Sequence, residues 1–220
     1  MAQILDAFDG ELLAEYGCYF GGGTAISLRF GEFRESADID LLVADRGGYG
    51  ALRERVRSGG GINALTRRRI SETRPPVTDQ YGIRTLVDVD HVPIRIEIVA
   101  EGRLDLETPD VGDEICGVPT LTVLDMLATK LLANSDRWAD RSVFSRDLID
   151  MAMIEPSTGL IEQAVAKAET AYRSAVLADL AKAIDYHREN PHRLDECMHA
   201  LAIDSVPKAV LWQRITRLMR

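Results

Sequence analysis

Residues 21–43 read GGGTAISLRFGEFRESADIDLLV, and the fold is decided by how this stretch is read. Three unlike chemical resources lie close together in it: the glycines Gly21, Gly22 and Gly23 leading to Thr24, a cation and a hydroxyl in Arg34 and Ser36, and two carboxylates in Asp38 and Asp40. Glycines after a short apolar strand and before a helix let the backbone approach a phosphate, and the helix N-terminus offers it unpaired N–H groups. Thr24 adds a hydroxyl there. Asp38 and Asp40 are i and i+2 in a strand pattern, so both side chains leave one face with Cα atoms about 6–7 Å apart. Hard oxygen ligands at that spacing suit Mg²⁺. Like charges held side by side need compensation, which a metal ion or Arg34 would supply. The plain alternatives are a tight turn for the glycines and two exposed positions on an edge strand for the acids.

Working outward, residues 2–16 carry Ile4, Leu5, Phe8, Leu12 and Leu13 at helical spacing. Cys18 to Phe20 read as a buried strand, 24–30 as a short helix, 39–43 as a strand and 49–57 as a helix. A glycine break at 58–61 precedes Arg67, Arg68, Arg69 and Arg74, the densest basic region, which reads as either a polyanion contact or a solvated edge strand. Residues 81–89 and 93–100 alternate as a hairpin with its turn at Asp90-His91-Val92. A second Asp-x-Asp, Asp88 to Asp90, lacks a glycine turn before it and reads as solvent-facing. Glu97 lies between Ile96 and Ile98 on a strand expected beside Asp38 and Asp40, which makes it the third carboxylate; its alternative is a salt bridge to Arg95 or to a neighbouring strand. From Thr122 the character is helical. Helices are expected over 122–137 and 143–154, with later breaks near Arg173, Asn190-Pro191 and 204–207. Lys130, Asn134 and Arg137 flank the apolar stripe of the first. The plain reading of Lys130 and Arg137 is surface cations paired with Asp147 or Asp150. The division expected is a mixed α/β half, 1–120, and an α-helical half, 121–220.

The totals narrow the function. A chain of 220 residues, 46% hydrophobic and 28% charged, buries a real core. Its formal charge of −9 makes it a poor passive polyanion binder, so any nucleic-acid contact must be local. Cys18, Cys116 and Cys197 are three, widely spaced and without a zinc pattern, which fits reduced thiols in a cytoplasmic protein. The N-terminus lacks the pattern of a signal peptide, and no apolar run reaches the roughly 20 residues of a membrane span.

The ordered run of GG[ST], then Arg34-x-Ser36-x-Asp38-Ile39-Asp40, then LTVLDMLATKLLANSDRWADRSVFSRDLIDM, resembles the AbiEii/AbiGii toxin family within the polymerase-β-like nucleotidyltransferases. The resemblance covers about 18–154. It implies an α+β fold: a polymerase-β-like mixed sheet with packed helices, followed by an α-helical bundle. It implies transfer of a nucleoside monophosphate from a nucleoside triphosphate to an acceptor hydroxyl, with release of pyrophosphate. Asp38, Asp40 and Glu97 would hold two Mg²⁺ ions (or Mn²⁺), one lowering the pKa of the acceptor hydroxyl and the other neutralising charge on the leaving group. Gly22, Gly23, Thr24, Arg34 and Ser36 would hold the nucleotide, with Lys130, Arg137 and Asp147 adding a catalytic cation and further nucleotide contacts across a cleft. The acceptor implied is tRNA, and the implied partner is an antitoxin. The polyanion patches would be Arg67 to Arg74 and Arg214, Arg217 and Arg220 on the last helix. Two other readings stand beside this one. A nucleotidyltransferase acting on a small molecule would show a deep enclosed acceptor pocket, and a non-catalytic binding module would show a broken acid triad.

Overall fold

The computed structural model describes residues 1–89 and 91–219; Asp90, in the expected hairpin turn and the second Asp-x-Asp, and Arg220, last of the C-terminal arginines, lie outside the described residues. The fold is α+β, and the chain divides into two compact units, 1–25 with 37–122 and 26–36 with 123–220.

The first unit is built on a mixed sheet. Its strands are β1 (Cys18–Gly21), β2 (Ile39–Val43), β3 (Ser71–Glu72), β4 (Val77–Thr78), β5 (Gly82–Val89) and β6 (Val92–Ala100), in the order β1-β2-β6-β5-β3 with β4 also on β5. β2 and β6 are parallel; the other pairs are antiparallel. The period of two sorts each strand into faces. Ile39, Leu41 and Val43 on β2 and Ile94, Ile96 and Ile98 on β6 are buried, whereas Asp40 and Glu97 keep partial exposure on the opposite face. Parallel neighbours need a long crossover. Here it includes α4 (Arg46–Ser58), which begins where the Asp45 carboxylate accepts from the Gly48 amide and which buries Tyr49, Leu52 and Val56. A short hairpin of β7 (Glu114–Ile115) and β8 (Val118–Pro119) closes the unit.

The helix expected over 2–16 is two helices, α1 (Ala2–Leu5) and α2 (Gly10–Glu15). Asp9 accepts from the Leu12 amide at 3.1 Å and starts the second. Gly10 is required there, because a Cβ would lie 1.9 Å from the Gly117 carbonyl oxygen.

The second unit takes its core from α5 (Val123–Arg137), which packs on α6 (Arg146–Ile154), α7 (Thr158–Tyr172) and α8 (Ala175–Glu189); α9 (Pro191–Ala200) and α10 (Lys208–Arg217) follow. Leu127, Ala128, Leu131 and Leu132 of α5 are fully buried, as their spacing requires. The helix expected from Val143 starts later. Arg141–Val143 form a 3₁₀ turn, and Phe144 and Ser145 are left-handed, at φ 52° and 51°, before α6 begins. Pro191 opens α9, where its missing N–H costs nothing. The remaining helix, α3 (Gly22–Arg29), begins in the first unit and ends in the second. Among the described residues no helix is long and apolar enough to cross a membrane.

Candidate active site

Register places the acids. Asp40 stands directly opposite Glu97 across the parallel β2–β6 pair, and Ile39 stands opposite Ile96. One step further out, Asp38 and Arg95 meet: an Arg95 Nη2 donates to Asp38 Oδ2 at 2.7 Å. The other terminal nitrogen of Arg95 lies 3.6 Å from Glu97 Oε2. Arg84, opposite Glu97 on β5, brings its Nη1 within 3.8 Å of Glu97 Oε1 and is also paired with Asp79. Asp38, Asp40, Glu97 and Arg95 thus occupy one sheet face. Burial opposes the charge on Arg95, but its hydrogen bond to Asp38 and the combined field of Asp38, Asp40 and Glu97 overcome this and raise its pKa.

The glycine turn meets the acids from the other side. Asp40 pairs with Gly21 across β1–β2, and α3 begins at Gly22. Gly22 has φ 68°, and a Cβ there would lie 2.3 Å from Asp40 Oδ2 and 2.8 Å from Asp40 Cβ. Glycine is therefore needed to admit the Asp40 carboxylate beside the first turn of α3. Gly23 is the second residue of that helix. The Thr24 hydroxyl, 2% exposed, donates to the Asp38 carbonyl and so ties the acid strand to the helix.

In the helical unit, five charged side chains lock together. Arg34 holds Asp150 through two bonds, Nε to Oδ1 at 2.7 Å and Nη2 to Oδ2 at 2.9 Å, and it donates from Nη1 to the Glu35 carbonyl at 2.9 Å. Lys130 Nζ lies 2.9 Å from Asp147 Oδ1 and 2.7 Å from Asp150 Oδ2. Arg137 is bidentate to Asp147, at 2.7 and 2.9 Å. Helical geometry explains the convergence: Lys130 and Arg137 are two turns apart on α5, and Asp147 and Asp150 are one turn apart on α6. Burial alone would raise the pKa of Asp147, yet Lys130 and Arg137 hold it well below the usual carboxylate range. Burial would likewise deprotonate Lys130, but Asp150 and Asp147 keep its pKa above that of a free lysine. Lys130 is therefore a fixed cation rather than a proton acceptor at neutral pH. Three cations face two carboxylates in this group, and Arg137 is its most solvent-exposed member.

Asp38, Asp40 and Glu97 share one face, and Gly22 and Thr24 adjoin it. A metal ion or Arg34 was expected to offset Asp38 and Asp40; Arg34 pairs with Asp150, and Arg95 holds the place beside Asp38. Ser36 is partly exposed at the end of the 26–36 segment. The alternatives stated for Glu97 and for Lys130 and Arg137 are also present: Glu97 lies near both Arg95 and Arg84 of the neighbouring strand, and the two cations pair with Asp147 and Asp150; only the second bond of Asp150, to Arg34, was not anticipated. The signal for Arg95 was there, since it precedes Glu97 by two residues, as Asp38 precedes Asp40.

The donor set fits a small divalent ion in kind, being three hard carboxylates on one face only partly offset by the Arg95 guanidinium. As the side chains stand, no group of three or more His, Cys, Asp or Glu among the described residues is arranged to hold a metal. Asp38 and Glu97 are turned toward Arg95.

A Helicobacter pylori crystal structure to which nucleotidyltransferase activity is ascribed is similar over 99% of this chain and 92% of that one, with a TM-score of 0.55 at 16% identity. The H. pylori protein JHP933 is similar over 99% of this chain and 89% of that one, with a TM-score of 0.52, also at 16% identity. At this identity the likeness is one of fold. No curated protein matches the chain. The family described as nucleotidyl transferase AbiEii toxin, type IV TA system, matches residues 3–218, a span that holds both the carboxylate face and the buried cation group. The chain therefore belongs to the AbiEii family of nucleotidyltransferase toxins.

Proposed function

We propose that the chain is a cytoplasmic, metal-dependent toxin that transfers a nucleoside monophosphate from a nucleoside triphosphate to a hydroxyl of tRNA. The observation that carries this reading is the pairing of Asp40 with Glu97, with Asp38 on the same face and the first turn of α3 pressed against Asp40. In the reaction, the acceptor oxygen forms a bond to the α-phosphorus, the bond to the α,β-bridging oxygen breaks, and pyrophosphate leaves with the electron pair. The acceptor proton passes to a carboxylate of the triad or to water. Asp38, Asp40 and Glu97 would hold Mg²⁺ or Mn²⁺, which when bound supplies charge neutralisation at the phosphates and acidifies the attacking hydroxyl. Gly22 and Gly23 present the N-terminal amides of α3 to phosphate. Thr24 keeps Asp38 and Asp40 in register with them, and Ser36 is the hydroxyl proposed to contact phosphate. Lys130 and Arg137, oriented by Asp147, are the fixed cations of the helical unit proposed as nucleotide contacts, and Arg34 acts through Asp150 to hold that group in place.

The family sets the toxin within a toxin–antitoxin system, so an antitoxin is the expected partner. The test is labelling of tRNA from α-³²P nucleoside triphosphates with Mg²⁺. Label should appear with the native chain, vanish with EDTA and fall at least a hundredfold in Asp40→Asn. Asp40→Asn labelling at the native rate would sink the reading. A small-molecule acceptor gains some support from Arg67 and Arg68, which are neutralised by Asp9, Glu11 and Asp6 and so leave less basic surface for tRNA. Label on a small hydroxyl compound, with none on tRNA, would favour it.

A further inference from the structure

Arg95 does not sit beside the carboxylate face; it occupies the charge centre of it. Its guanidinium bonds Asp38 at 2.7 Å, approaches Glu97 at 3.6 Å and feels Asp40 as well. A guanidinium is broad and planar, whereas a small divalent ion carries twice the charge and draws its carboxylate oxygens in to about 2.0–2.1 Å. Asp38 Oδ2 cannot serve both. The contact is also built to exchange. The Arg95 and Asp38 side chains are 49% and 45% exposed, so water can take over each partner as it leaves. An ion pair this exposed is worth little by itself. Glu97, at 22% exposure, keeps Arg84 within 3.8 Å when Arg95 withdraws, so Asp38 is the member that most needs a replacement cation.

We propose that Arg95 is a resident counter-cation that gates the acid triad: the empty enzyme keeps its carboxylates paired with this guanidinium, and tight entry of the divalent ion requires Arg95 to move from the carboxylates to the phosphates of the arriving nucleotide. The inference rests on the metal-dependent reading above and extends it, because it makes metal binding depend on nucleotide through a single side chain. Arg95 is a positioning residue in the metal-free state and a phosphate contact in the loaded one. Arg84, already committed to Asp79, lies one strand further from Asp38 and takes no part in the exchange.

The test is Mn²⁺ binding to the full chain, read from the loss of the free-ion electron paramagnetic resonance signal, with and without a non-hydrolysable nucleoside triphosphate. The native chain should bind Mn²⁺ weakly alone and more tightly with nucleotide. Arg95→Gln should bind Mn²⁺ alone about three- to tenfold more tightly at low salt, the gain shrinking as added salt screens the charges. Its nucleotide-dependent gain should be correspondingly smaller. Arg95→Lys, which keeps the charge, should stay close to the native chain. A melting curve of each variant, with and without Mn²⁺, confirms that it folds and gives a second readout: Arg95→Gln should be the protein that Mn²⁺ stabilises most. Equal or weaker Mn²⁺ binding by Arg95→Gln overturns the gate and leaves the metal site standing. Absence of Mn²⁺ binding by both proteins, with or without nucleotide, overturns the gate and the metal-dependent reading together.

Discussion

At the scale of single residues, the site depends on a missing side chain as much as on those present. Gly22 is held at φ 68° with Asp40 Oδ2 where its Cβ would be. Gly22→Ala therefore meets two penalties: about 1–2 kcal/mol for the left-handed backbone, and displacement of the carboxylate. Gly31 separates them, because it has φ 93° but nothing within 4 Å of a Cβ. Gly31→Ala should lower the melting temperature by a few degrees and leave turnover nearly native, whereas Gly22→Ala should lower turnover at least tenfold for a comparable loss of stability. Equal activity in the two would mean that Asp40 is not where the chemistry occurs. At this scale the acids were legible in the sequence, since Asp38 and Asp40 needed only a period of two and Glu97 only its place on a neighbouring apolar strand. What could not be read was which cation answers them. Arg34 is near in sequence and Arg95 is 57 residues away, and only the parallel register of β2 with β6 decides between the two.

At the scale of elements, α5, α6 and the 26–36 segment are joined by charge rather than by apolar surface alone. Asp150, 0% exposed, satisfies Arg34 and Lys130 together. Breaking such a pair costs more than making it contributes, because the remaining charges stay buried. Asp150→Ala should cost about 3–5 kcal/mol in urea unfolding. Arg34→Met combined with Asp150→Leu should cost less than Asp150→Ala alone. Additive losses would show that the pair is not coupled. A second junction ties α6 to α8, where His187 Nε2 lies 2.9 Å from Ser145 Oγ. Burial pushes the His187 pKa down to about 4. The sign follows from the direction of this shift. The unfolded chain takes up a proton near the ordinary histidine pKa and the folded chain does not, so this contribution is complete above about pH 6.5 and is lost as the pH falls toward 4. The native chain should lose about 1–2 kcal/mol at pH 5 relative to pH 7 that His187→Gln does not lose, measured by urea titration at both values. Most helices were legible from apolar spacing. The break between α1 and α2 was not, because the apolar positions continue through it and the close approach of Gly10 to the Gly117 backbone joins positions about a hundred residues apart. The attachment of 26–36 to the helical unit was hidden for the same reason, being decided by Asp150.

At the scale of the whole molecule, the field is negative, and the arginines that matter for a polyanion are those left without acids. Net charge is −9, and much of the apparent basic region is spent internally: Arg67 pairs with Asp9 and Glu11, Arg68 with Asp6, and Arg214 with Glu155. Among the described residues, no carboxylate forms an ion pair with Arg69 or Arg74, and both are exposed at the two ends of β3. Counting arginines along the sequence thus overstates the basic surface, since charges close in sequence have different partners in space. If tRNA is the acceptor, its phosphates should meet Arg69 and Arg74. Reversing both, in Arg69→Glu with Arg74→Glu, should weaken tRNA binding at least tenfold and make its salt dependence shallower by about two phosphate contacts. Reversing Arg67 and Arg68 would leave Asp6, Asp9 and Glu11 unanswered, so the fair comparison is Arg67→Gln with Arg68→Gln, which should change tRNA binding less than twofold. Filter binding of labelled tRNA across a salt series separates the cases. Equal effects of the two double variants would place the acceptor on some other face of the protein, whereas labelling that survives both, at native affinity for the nucleotide, would point to an acceptor without phosphates.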